Sequence, residues 1–296
     1  MIHLSVPFLT TKLEQIPDDF VKNGGFVEGN VFDYNLLKNE SDWKLLDKNL
    51  SYLQKKYQGV VKSLHFPTEN ANYLESSFVK NALYRFIETC SNHTVGTLVL
   101  HSNYIQDIKS FRVTNLEAVR EKFLTFYEEL DNFLEKSGVL IGVENMPIIG
   151  DTGVDFDSVF VYPDDFKSLN FKNIYVTWDF GHWAYTCFVL QNLNNFSNKI
   201  NIERCEFKDY LKLKNKIIHA HFSSFKGTTY PFSNSQCREG VPPSEGDFDQ
   251  DTLKGVLLEL NNWNDMNLTL EIKEKDYSVR ENLNEVTTWV NKVIKK

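Results

Sequence analysis

The 296-residue sequence contains no Cys-x-x-Cys pair. Its four cysteines, Cys90, Cys187, Cys205 and Cys237, are scattered. In a chain of this length that pattern reads as reduced thiols in an intracellular protein, not as a disulfide framework. No apolar run approaches the roughly 18 residues of a membrane span. The opening Met1-Ile-His-Leu-Ser-Val-Pro7 lacks the basic and apolar regions of a signal peptide. A cytoplasmic protein with no membrane partner is therefore expected. Positive charge is not in excess: 32 Lys and Arg stand against 40 Asp and Glu, a formal charge of −8. That balance argues against a broad nucleic-acid surface. The loop cations available for phosphate contacts, such as Arg112, Lys226 and Arg238, are few and scattered. A Pro/Gly/Ser-rich linker and a shift in composition are also missing, so one domain over residues 1–296 is expected.

What is present is a large potential core, with 42% hydrophobic and 14% aromatic residues. Short apolar runs bounded by breakers read as eight strands: 2–7, 26–28, 60–65, 97–101, 139–144, 174–179, 216–221 and 268–271. Helical spacing alternates with them over 13–22, 43–57, 78–90, 116–136, 163–169, 250–262 and 279–296. One helix or two are expected within 183–211, around a polar segment at 191–199. The long stretches 145–162 and 222–248 read as irregular loops. Eight strands alternating with helices is the sequence form of a (β/α)₈ TIM barrel, an α/β fold of about this size. A doubly wound sheet would want a Gly-rich turn after its first strand, and Pro7-Phe-Leu-Thr10 is not one.

In such a barrel the C-terminal strand ends share one face, and active sites lie there. The predicted ends are Glu28, His65, His101, Glu144, Asp179, His221 and Glu271, with His182 one turn beyond Asp179. Any one strand-end His is more often a hydrogen-bonded core residue than a ligand. Together they are a different matter, because converging carboxylates repel unless a cation joins them. Mixed imidazole and carboxylate donors suit Zn²⁺, Mn²⁺ or Co²⁺. His219 and His221 share a face by period-two alternation. His221, nearer the strand end, is expected to be the ligand and His219 its supporting or core neighbour. The aromatic residues are expected to fill helix-to-barrel contacts. Trp178 and Trp183 flank the Asp179 motif; core packing is their default role, and the alternative is that one of them walls the substrate pocket and stacks on a sugar face.

Four motifs carry a family resemblance: Val143-Glu-Asn-Met-Pro147, Trp178-Asp-Phe-Gly-His182, His219-Ala-His-Phe-Ser223 and Leu270-Glu271. The sequence resembles the xylose-isomerase-like TIM barrels. That superfamily includes sugar-phosphate isomerases and epimerases, ketose 3-epimerases, and the family-2 AP endonucleases typified by endonuclease IV. The resemblance implies a divalent metal site of Glu144, Asp179, His221 and Glu271, with His182 close by. It implies that His65 and His101, with Glu144, would hold a second ion. A third ion in the endonuclease would need His182 and an Asp-x-His. Counting back from the Ser244-Glu-Gly-Asp-Phe248 turn puts Glu239 and Val241 in those places. Valine cannot ligate, so one or two ions are expected.

Two activities follow. The first is a metal-dependent isomerase or epimerase acting on a small sugar or sugar phosphate. In it, Glu144 and Glu271 move a carbon-bound proton. His182 orients hydroxyls; Lys273 shares the phase of Glu271 and either joins His182 or stands as a solvated loop lysine. The alternative is a phosphodiesterase in which two ions share Glu144. A binding protein on an inactive barrel would have lost ligands, and all four core residues are present. The expected partner is a small carbohydrate and not nucleic acid. Relatives of this kind often pair, which leaves a homodimer open.

Overall fold

The computed structural model describes residues 1–111, 113–192, 205–263 and 265–295. Eight parallel strands close into one barrel. They are β1 (Ile2–Leu9), β2 (Phe26–Asn30), β3 (Val61–His65), β4 (Thr97–Leu100), β5 (Leu140–Glu144), β6 (Ile174–Asp179), β7 (Ile217–Phe222) and β8 (Met266–Leu270). Each strand pairs with its sequence neighbours, and β8 closes the ring on β1, with Ile2 opposite Met266 and Ser5 opposite Thr269.

Helices lie between the strands: α1 (Asp18–Lys22), α2 (Glu40–Lys56), α3 (Ser77–Asn92), α4 (Leu116–Leu134), α5 (Phe180–Asn192), α6 (Gln250–Asn261) and α7 (Glu281–Ile294). A short 3₁₀ turn over Pro163–Phe166 stands in the β5–β6 crossover, and another over Phe207–Leu213 follows α5 before β7. The starts of α3, α4 and α6 are capped by side chains whose oxygens take up otherwise unpaired amides. Ser76 accepts from the Val79 amide, Asn115 from that of Ala118, and Asp249 from that of Thr252. Stops fall at Gly59 and Gly138, both at positive φ. In α3 the buried positions Val79, Leu83, Phe86, Ile87 and Cys90 form the stripe that packs on the barrel.

Three expectations need correction. The single helix over 13–22 is broken into a 3₁₀ turn, Leu13–Gln15, and α1. Pro17 forces the extended backbone seen at Ile16. The loop 222–248 is not irregular throughout: Ser224–Lys226 pairs antiparallel with Arg238–Val241. The loop 145–162 likewise contributes Asp155–Phe156 to a two-residue ladder with Gln106–Asp107. These strands are too short to show an alternation of their own. Of the 183–211 region, α5 begins earlier, at Phe180, and residues 193–204 lie outside the described ones, as does Arg112.

Trp178 and Trp183 are both fully buried. Trp178 stacks on Tyr210, and Trp183 donates its indole N–H to the Phe207 carbonyl. They belong to the core and not to a pocket wall. Among the described residues no helix is long and apolar enough to cross a membrane.

Candidate metal centre

The strand ends bring Glu144, Asp179, His221 and Glu271 together. One ligand atom from each lies within 4.8 Å of the others. His221 Nδ1 is 3.2 Å from Glu144 Oε1, 3.4 Å from Glu271 Oε2 and 3.8 Å from Asp179 Oδ2. A second group, His65, His101 and Glu144, also falls within that limit. His65 Nε2 and His101 Nε2 stand 3.2 and 3.1 Å from Glu144 Oε2. Glu144 therefore turns one oxygen to each group and bridges them.

Local structure aims these side chains. Asp179 ends β6 and α5 starts at the next residue, with no loop between. Asp179 Oδ1 accepts from the His182 amide at 2.6 Å, which spends that oxygen on the first turn of α5 and leaves Oδ2 toward His221. Asn145 clamps the ends of β5 and β6. Its side chain accepts from the Asp179 amide at 2.7 Å and donates to the Asp179 carbonyl at 3.0 Å. The His182 ring donates Nδ1–H to the Asn145 carbonyl at 2.8 Å, and Nε2 has no hydrogen-bond partner among the described residues. Gly181 makes room for β7: a Cβ there would lie 2.4 Å from Ser223 Oγ.

Charge in the site is unbalanced without a cation. Burial pushes Glu271 up to about 7, with Glu144 and Asp179 adding to the shift against the pull of His221. Asp179 is raised by burial and by Glu144, against His182 and His221. Burial works the same way on Glu144, but the imidazoles of His221 and His101 outweigh it and hold that carboxyl well below the usual range. Burial pulls His101 down to about 4. His182 is raised to about 9: burial opposes the shift, and Asp179, Glu239 and Glu144 drive it. A neutral His65 spends its one N–H on the Phe66 carbonyl at 2.7 Å. Its Nε2 then meets Glu144 Oε2 as a second acceptor, a contact that a proton or a metal cation relieves. The donor set fits a borderline divalent ion: imidazole nitrogens and carboxylate oxygens, with no thiolate among the grouped residues.

Glu28 is a correction. It does not share the rim with the other strand ends, because β2 runs on to Asn30. It lies deeper, fully buried, against His219 and the far nitrogen of His221. The short apolar run in the sequence hid two further residues of strand. His219 is buried beside it and does not reach the rim cluster.

The hairpin missed in the sequence shapes the mouth. Its register sets Phe225 opposite Glu239 and brings Glu239 near enough to His182 to raise that imidazole. Val241 is buried. Gly240 sits at φ +73°, and its carbonyl accepts from the Lys273 amide at 2.8 Å. A Cβ there would lie 2.8 Å from Lys273 Cγ and 3.2 Å from the Glu271 carbonyl. Gly240→Ala is expected to cost about 1–2 kcal/mol from the left-handed backbone alone. It should also weaken ion binding by displacing Glu271; unchanged thermal stability together with unchanged metal affinity would count against this reading.

A cavity of about 240 Å³ opens beside the cluster, lined in part by His101 and His182. Its described lining holds five carboxylates, Glu69, Asp151, Asp155, Asp157 and Glu239, and no Lys or Arg. A larger cavity of about 790 Å³ shares Asp151 and Glu239 with it. Lys273 lies in that outer cavity, 63% exposed, with its ammonium 3.8 Å from Asp151. Lys226 and Arg238 are exposed on the hairpin.

Fold and site together define a (β/α)₈ barrel with a histidine–carboxylate cluster on the face where such barrels carry their active sites. The chain belongs to the xylose isomerase-like TIM barrel family, which matches residues 48–292. Solved structures agree in fold. A D-tagatose 3-epimerase-like protein is 17% identical, with a TM-score of 0.61 over 99% of this chain and 98% of that one. The IolI protein with a bound zinc atom is 16% identical, with a TM-score of 0.65 over the same shares. Endonuclease IV from Thermus thermophilus is 12% identical, with a TM-score of 0.58 over 98% of this chain and 99% of that one. No curated protein sequence matches the chain.

Proposed function

We propose that the protein is a divalent-metal-dependent isomerase or epimerase acting by proton transfer on a small, uncharged sugar. The observation that carries this reading is the convergence of Glu144, Asp179, His221 and Glu271 beside a cavity whose described lining holds five carboxylates and no Lys or Arg. These four residues would hold the ion. When bound, it would supply a Lewis acid that polarises a sugar carbonyl and acidifies the neighbouring C–H. Glu144 and Glu271 come from β5 and from the residue after β8, and both approach His221 Nδ1, at 3.2 and 3.4 Å. One carboxylate takes the proton from carbon and the other returns it. His182, with Nδ1 fixed on Asn145, presents Nε2 to a substrate hydroxyl. Ile105, Met146 and Phe156 give the cavity apolar surface against which a sugar face can lie.

The lining also bears on phosphorylation. A phosphate in the inner cavity would face five carboxylates and meet no Lys or Arg among the described lining, with His182 as the raised imidazole there. In the outer one, six carboxylates stand against Arg238, Lys273 and Lys275. Like charges at this range disfavour the anion. The D-tagatose 3-epimerase-like protein supports the sugar reading by name and fold alone, and the zinc-bound IolI protein supports the metal reading in the same way.

The test is exchange of a carbon-bound proton with D₂O, followed by NMR across a panel of ketoses with Mn²⁺ or Co²⁺ added. Exchange is expected on free sugars and not on their phosphates. The second reading, a phosphodiesterase, draws on the His65–His101–Glu144 group, which gives room for a second ion next to the first. Incision of abasic-site DNA by the zinc-loaded protein, with no exchange on any ketose, would decide for it.

A further inference from the structure

Barrel interiors are usually filled by branched apolar residues. Directly below the rim cluster this one is polar. Ser5, Glu28, Ser63, His219, Asn267 and Thr269 meet there, contributed by β1, β2, β3, β7 and β8. Glu28 is 0% exposed and His219 1%. A charge so deep is costly unless it is held by donors.

The two oxygens of Glu28 are held differently. Oε2 accepts from Ser63 Oγ at 2.6 Å and lies 2.9 Å from His219 Nε2. Thr269 Oγ1 adds a longer contact at 3.4 Å. His219 is itself oriented: Asn267 Nδ2 stands 3.3 Å from its Nδ1, which makes Nδ1 the acceptor and Nε2 the nitrogen that donates to Glu28. Oε1 makes no well-aligned hydrogen bond among the described residues. It faces His221 Nε2 at 3.2 Å, and the same nitrogen makes its aligned hydrogen bond to Oε2 at 3.5 Å, so the ring spans both oxygens of the carboxylate. The opposite nitrogen of that ring, Nδ1, is the one turned to the three rim carboxylates.

We propose that Glu28 is the positioning residue for His221: it accepts a hydrogen bond from Nε2–H, keeps the proton on that nitrogen, and so presents Nδ1 as the bare nitrogen to an ion held with Glu144, Asp179 and Glu271. Ser63 and His219 fix the carboxylate, so the ring it orients cannot swing or exchange tautomer. The inference rests on the metal reading above, and adds to it a residue that touches neither ion nor substrate. Carboxylates behind ligating imidazoles fix the ring and raise its basicity, and their loss typically weakens metal binding about 10–100-fold. The competing use of the same residues is a buried ion held by Glu28, His219 and His221, whose ligand atoms also lie within 4.8 Å of one another. The two donors already on Oε2 favour the hydrogen-bonded arrangement.

The experiment is a zinc titration of the full chain against a competing chelator, with folding of each apo-protein checked by circular dichroism. Glu28→Gln is expected to bind the ion at the His221 cluster about 10–100-fold more weakly, while the His65–His101 cluster keeps its affinity. In the zinc-loaded wild type, NMR should show a downfield His221 Nε2–H, and the signal should move upfield in Glu28→Gln. Glu28→Asp retracts the carboxylate but keeps its charge, and should weaken binding in the same direction; it decides the matter if the glutamine variant does not fold. Folded variants with wild-type affinity and an unmoved imidazole signal would overturn the proposal and leave the metal reading standing. A wild type that binds no zinc would overturn both. One further stoichiometric ion, lost in Glu28→Gln, would overturn it in favour of the buried site.

Discussion

Glu144→Gln is expected to empty both clusters at once and to abolish proton exchange. Glu144 turns its two oxygens to two groups of imidazoles. Oε2 lies 3.1–3.2 Å from His101 and His65, and Oε1 lies 3.2 Å from His221. An amide of the same shape keeps the packing but carries no charge to either ion. It also cannot accept a proton from carbon. Loss of general acid–base work alone is worth about 10²–10⁴-fold in rate, and loss of the ion adds to it. Elemental analysis of the purified variant should find neither ion, with the wild-type circular dichroism spectrum retained. Wild-type metal content in this variant would remove Glu144 from the ligand set. Full exchange activity would remove it from the chemistry.

Glu271→Gln and His101→Ala are expected to part company. Glu271 lies 3.4 Å from His221 Nδ1 and, though its ligand atom also falls within 4.8 Å of His65, it has no place in the His65–His101–Glu144 group, so its loss should release the His221 ion and bring exchange below detection. His101 touches Glu144 through Oε2 alone. Removing it should cost the second ion and leave the first. If proton transfer is the activity, His101→Ala keeps most of its exchange rate, because the chemistry needs the four-residue cluster only. If the protein is a two-metal phosphodiesterase, the same variant should be nearly inactive on abasic-site DNA. Equal metal loss in both variants would mean that the clusters are one site, and the division drawn here would fail.

The (β/α)₈ barrel was legible because it rests on local signals. Eight apolar runs alternating with amphipathic helices allow few other packings, and strand phase is written in the period of two. The convergence of Glu144, Asp179, His221 and Glu271 followed from the same source, since the fold itself delivers strand ends to one face. Where a strand really ends was not local information. Glu28 closes its apolar run in the sequence, yet pairing with β1 carries β2 on to Asn30 and sinks the carboxylate one layer. The hairpin of Ser224–Lys226 and Arg238–Val241 was equally unreadable. Its strands are short and separated by residues 227–237, and it is held by contacts with α5 and the Lys273 backbone.

The residue types available for chemistry, their order along the chain and the face they would share were thus determined by sequence alone. The tertiary structure decided their depth and their pairing: which oxygen of Glu144 meets which imidazole, and which nitrogen of His221 looks up toward the rim and which down toward Glu28. Those choices depend on the stagger of eight strands around a closed ring. Stagger is fixed only when the last strand meets the first, through pairings between the two ends of the chain such as Ser5 with Thr269.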